Sequence, residues 1–131
     1  MNLDLDPAAV RVARDFWARM ATNDFAGVAA VLAPDFVVEW PQTRERIRGA
    51  ARFVRMNVEY PAHGPWRFTI HRLFGDAREA VSDVSITDGV LQARAISLFE
   101  VADGRVRRLV EWWPEPYDAP ANRAHLVEMM D

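Results

Sequence analysis

Near the end of the chain, Gly104 to Pro116 sets apolar and polar residues in a stretch that reads as a long strand. Asp103-Gly104 supplies a turn before it, and Pro114, which has no amide hydrogen, ends the regular ladder. Val106, Arg108, Val110 and Trp112 fall on one face; Arg107, Leu109, Glu111 and Trp113 fall on the other. Both faces turn apolar toward the strand's end, so each needs cover. Glu111 is a lone acid between two of the largest apolar positions, which makes it either salt-bridged structure or pocket chemistry.

Earlier segments follow other periods. Ala9, Val12, Ala13, Phe16, Trp17 and Met20 recur at helical spacing and predict a helix from Pro7 to about Thr22, with Asp6 as N-cap. Asn23-Asp24 breaks it and caps a second short helix, Phe25 to Leu32. After a loop at Ala33-Pro34-Asp35, Phe36 to Trp40 reads as a strand, and Glu45 to Arg48 as its short partner. Gly49 leads a third helix to about Tyr60, stopped by the Pro61 to Pro65 segment. Trp66 to Phe74, Glu79 to Thr87 and Leu91 to Val101 are three more strands, with Asp88-Gly89 and Asp103-Gly104 as hairpin turns. A terminal helix is predicted from Pro120 to about Met129.

Three helices ahead of a long antiparallel meander predict an α+β class, the helices packed on a strongly curved, mainly antiparallel sheet. The second apolar face of the last strand is most simply covered by another copy of the same sheet. That predicts a homodimer through the convex faces, with Val110 and Trp112 between subunits.

Composition narrows the chemistry. The 131 residues suit one domain, residues 1–131, without internal repeats. A net charge of -3 gives no reason to expect nucleic acid, and no apolar run suits a membrane span. The text from Met1 to Asp6 shows no signal pattern, so a cytoplasmic location is expected. There is no cysteine and no lysine, all 16 basic residues being arginine. Thiolate, Schiff-base and P-loop chemistry are thereby excluded. His63, His71 and His125 show no paired ligand spacing, so neither a metal nor another cofactor is expected.

Asn23-Asp24-Phe25-Ala26-Gly27-Val28, Ala33 through Trp40, and Asp103-Gly104-Arg105-Val106, taken in order, resemble the nuclear transport factor 2-like superfamily, which includes the SnoaL-like polyketide cyclases. The resemblance covers nearly the whole chain. It implies a cone-shaped α+β barrel with a pocket between sheet and helices, and usually a homodimer. Set against the ketosteroid isomerases, the position of the catalytic aspartate is Trp40, that of the oxyanion tyrosine is Phe16, and that of the second oxyanion acid is Ser97; this argues against an isomerase of that type. Set against the limonene epoxide hydrolases, Glu111 falls on the acid of the final strand and Leu109 on its tryptophan. Asp83 and Ser85 fall on the other acid and the arginine, so only a pair of carboxylates survives.

The expected cavity is lined by Phe16, Trp17, Met20, Trp40, Phe53, Asn57, Tyr60, Ser97, Leu109 and Trp113, together with Asp83 and Glu111 as candidate catalytic acids. Trp66 is a further candidate for its wall. Both acids stand mid-strand on faces expected to look inward, where desolvation suits a carboxyl to acid/base work. The competing assignment pairs each with an arginine, such as Arg94 or Arg107. Asn57 would orient a ligand oxygen or make a structural hydrogen bond. Such a cavity suits a small hydrophobic carbonyl or hydroxyl compound. The expected function is cofactor-independent cyclisation, isomerisation, hydration or dehydration; the alternative is a non-catalytic ligand-binding or protein-interaction dimer. The Pro114 to Pro120 segment is either a lid or a dimer contact.

Overall fold

A computed structural model gives the structure of the protein and describes residues 5–131. The first four residues of the N-terminal text read above lie outside it. Helix α1, Ala8–Ala21, buries Ala9, Val10, Ala13, Phe16, Trp17 and Met20 on one stripe. Its cap position is Pro7 rather than Asp6, and no side chain caps it. Asp6 is drawn instead to Arg14, at 3.4 Å. A 3-10 helix, Phe25–Val31, follows and leads directly into β1, Leu32–Trp40, so the expected loop at Ala33 to Asp35 is extended strand. Strand β2 is Glu45–Arg48 and helix α2 is Ala50–Glu59. The remaining strands are β3, Arg67–Gly75; β4, Glu79–Thr87; β5, Gln92–Ala102; and β6, Arg105–Trp112.

The six strands form one curled, open sheet in the order β2-β1-β6-β5-β4-β3. All neighbours are antiparallel except β1 and β6. The helices cover the concave face, where Phe16 meets Trp17 and Phe99 edge-on at 5.0 and 5.2 Å between ring centroids. Asn23, at the end of α1 with φ 62°, ties the helix to the sheet. Its amide accepts from the Trp66 nitrogen at 2.7 Å and donates to the Trp66 carbonyl at 2.9 Å, standing in for a strand partner where β3 begins.

Two bulges decide which side chains look inward. On β6, Glu100 pairs with Arg108 and Val101 with Val106, so Arg107 is an extra residue. The bulge reverses the alternation, and Val106, expected on the convex face, is fully buried on the same side as Leu109 and Glu111. On β3, His71 is the extra residue between the Ile70–Val84 and Arg72–Asp83 pairs.

The expected terminal helix reduces to one 3-10 turn, Ala121–Arg123. Everything from Pro120 onward is exposed, and a helix this short does not hold in water without a packed face. Among the described residues no helix is long and apolar enough to cross a membrane.

Candidate functional site

The curl of the sheet leaves a cavity of about 820 Å³ between its concave face and the helices. Helix α1 contributes Phe16, Trp17 and Met20; α2 and its end contribute Phe53, Met56, Asn57 and Tyr60. Trp40 closes β1, and Trp113 stands just beyond β6. Trp17 is fixed within this wall because its indole donates to the buried Ser82 hydroxyl at 3.0 Å. The Asn57 amide donates to the Phe53 carbonyl at 2.9 Å, one helical turn back, and its side chain borders the cavity.

Glu111 is a buried acid in the wall of this space. Its parity on β6 aims it at the cavity, and it is only 4% exposed. The Trp40 indole donates to Oε1 at 3.2 Å, and the Ser97 hydroxyl donates to Oε2 at 2.8 Å. Ser97 lies opposite Glu111 on β5, which sets that second contact. Among the described residues no basic side chain forms an ion pair with Glu111. Burial pushes its carboxyl above the usual range, and the Trp40 and Ser97 hydrogen bonds offset this only in part.

Asp83 stands elsewhere, which corrects the expectation of two inward acids. On β4 the inward residues are Ala80, Ser82, Val84 and Ile86, all buried; Asp83 and Ser85 belong to the opposite, convex face. There Asp83 is paired with Arg94, whose guanidinium holds its carboxyl below the usual range. Ser85 takes part in a 2.6 Å hydrogen bond with His71 Nε2. The apolar count on β4 carried this signal, since its even-numbered positions hold Ala80, Val84 and Ile86.

Ser97 and Leu109 were also expected to line the cavity. Both are fully buried behind its surface, Ser97 as a donor to Glu111 and Leu109 as core. The structure adds wall residues the sequence reading missed. Phe25, Phe68, Ile86, Leu91 and Ala93 extend the apolar surface, and Trp66 joins Trp17, Trp40 and Trp113 in it. Gln42, Thr43 and Glu45 come from the turn after β1, which Gln42 ties to the Trp113 backbone through its amide. Glu115 and Tyr117 place the Pro114 to Pro120 segment beside the cavity mouth. Loop residues such as these carry no periodic signal. Among the described residues no group of three or more His, Asp or Glu is arranged to hold a metal ion.

A SnoaL-like domain matches residues 13–109. No curated protein matches the chain. A solved structure from Kribbella flavida, provisionally assigned as a ketosteroid isomerase, is similar over 95% of this chain and 90% of that one, with 38% identity and a TM-score of 0.85. An epoxide hydrolase of M. tuberculosis resembling the LEH enzymes is similar at 25% identity and a TM-score of 0.67, over 82% of this chain and 83% of that one. An NTF-2 like protein of unknown function from Burkholderia xenovorans shares the fold at 22% identity and a TM-score of 0.75, over 94% and 96% of the two chains. With three quarters of its length matched, its curled sheet and its helix order, this chain belongs to the SnoaL-like domain family within the NTF2-like fold.

Proposed function

We propose that the chain takes a small hydrophobic carbonyl or hydroxyl compound into the concave cavity and moves a proton on it with Glu111. The observation that carries this is a buried carboxyl, open to an aromatic cavity, with hydrogen bonds but no cation beside it. A structural acid at such a depth is ordinarily paired with a base, and even the less buried Asp83 is paired with Arg94. A carboxyl whose surroundings raise it above the usual range is suited to give and take protons.

The chemistry supported is proton transfer without a cofactor. As base, Glu111 removes a proton from carbon beside a carbonyl and returns it elsewhere on the substrate, which is isomerisation, or leaves a carbanion that closes a ring. As acid, it protonates a departing hydroxyl, and its carboxylate then takes the proton from the adjacent carbon as the double bond forms, which is dehydration; the reverse is hydration. Trp40 and Ser97 position the carboxyl. Asn57, which borders the cavity, would orient the substrate oxygen. The groups that serve the ketosteroid isomerases are replaced by Trp40, Phe16 and Ser97, so the reading draws on Glu111 and not on that catalytic set.

Thermal-shift screening of hydrophobic ketones and alcohols, followed by turnover assays of the hits, tests the reading. Glu111→Gln should keep ligand binding and lower turnover by roughly 10²–10⁴-fold. Equal turnover by the variant would remove Glu111 from the chemistry. Binding without turnover by either protein would make the chain a non-catalytic ligand binder.

The same reading has the chain act as a homodimer through its convex sheet face. Supporting it, Trp112 and Phe74 are exposed there, at 38% and 60%, with half-buried Val37, Val81, Ile96 and Leu98 on the same face.

A further inference from the structure

We infer that the ligand of this cavity carries a basic amine, held as an ammonium at the corner where Glu111, Glu45 and Glu115 meet aromatic rings. The inference rests on the cavity reading above and adds the charge of the ligand. The chain holds 16 arginines, yet none of them lines the cavity, and no histidine does either. Among the described residues, the charged ones that line it are Glu45, Glu111 and Glu115.

These three acids belong to one corner. Glu45 pairs with Trp40 across β1 and β2, and Trp40 donates to Glu111. Glu115 lies two residues beyond Trp113, whose backbone is tied to Gln42 in the turn that leads to Glu45. Trp40, Trp113 and Tyr117, close to these acids along the chain or by strand pairing, line the same cavity.

The consequences for a ligand follow from its charge. A carboxylate or phosphate would give up its water and meet acids, with no cation to replace the lost hydration. A neutral molecule would be accepted by the apolar wall. A cation would gain the ring faces and the rim carboxylates together. It would also supply the positive charge that Glu111 lacks, allowing that carboxyl to ionise in place. A cation there would favour the charged form of Glu111, whereas a neutral analogue would not.

Calorimetry with naphthylmethylamine, naphthylmethanol and naphthoate, run on the full chain at neutral pH, tests this. The amine should bind roughly tenfold more tightly than the alcohol, with naphthoate weakest. The double variant Glu45→Gln/Glu115→Gln should shrink the amine-to-alcohol ratio. An alcohol that binds as tightly as the amine, or a naphthoate that binds more tightly, overturns the inference while leaving the cavity reading in place. An amine preference that the double variant does not reduce removes the rim acids from recognition. Absence of binding by all three probes counts against both readings.

Discussion

Glu111 holds its proton to a higher pH than a solvated glutamate because its charge would be enclosed by apolar wall. That has a consequence for stability as well as for chemistry. The folded carboxyl titrates above its ordinary value of 4.5, so the folded state binds more protons than the unfolded one in the window above that value. The group's contribution is full below the unfolded value and is lost as pH rises through the folded one. Urea melts across pH should show this decline in the wild type, and Glu111→Gln should flatten it. Asp83 and Glu39 behave with the opposite sign. Arg94 depresses the first; Arg46 and Arg108 depress the second, so their stabilisation is present at neutral pH and fades as acid is added. Ser97→Ala removes the donor to Oε2 and should cost about 1 kcal/mol. It should also move the acidic limb of any pH–rate profile upward, because the charged form loses a hydrogen bond.

Individual elements hold the site through a few contacts that local sequence does not announce. The β3–β4 hairpin closes so tightly that a side chain on Gly75 would place its Cβ 2.1 Å from the Glu79 carbonyl oxygen and 2.6 Å from the Ala80 Cα. Gly75→Ala should therefore shift backbone and destabilise the chain by about 3 kcal/mol, measurable by thermal melting. Phe99→Ala, which removes a fully buried ring from against Phe16 and Trp17, should cost roughly 3–5 kcal/mol. Much of this level was legible in the sequence. The apolar stripe of α1, the whole of β4 and the two Asp-Gly hairpins follow from periodicity and turn chemistry. The bulge at Arg107 did not: the consecutive Arg107 and Arg108 interrupt the alternation between Val106 and Leu109, but only the pairing of Val106 with Val101 identifies the interruption as an inserted residue. Asp83 was assigned to the wrong face for a different reason. Its parity was taken from a resemblance to an acid in another family, and the plain apolar count of β4 points the other way. Residues of the mouth, Gln42, Thr43, Glu115 and Tyr117, lie in irregular segments where only the folded chain shows what they face.

At the scale of the whole molecule, the concave side of the sheet is occupied by helices and cavity, and the convex side by ion pairs among apolar residues. Glu39 bridges Arg46 and Arg108, each at 2.6 Å, and Arg108 reaches Glu100 at 3.2 Å. Val110 was expected to be buried by a partner, but it is already only 5% exposed within the single chain, so it does not report on association. Trp112 does. In sedimentation at micromolar concentration the wild type should run as a dimer and Trp112→Asp should shift toward monomer; a monomeric wild type would contradict the convex-face proposal. Association and chemistry are separate claims, and the central one is that Glu111 is a proton-transfer group whose carboxyl the cavity wall holds above the ordinary range. The most direct test is a carbon-detected NMR titration of the Glu111 carboxyl, assigned by its loss in Glu111→Gln. The account predicts a midpoint clearly above the ordinary value of 4.5, moving when a cavity ligand is added. A midpoint at or below that value, unmoved by ligand, would contradict it.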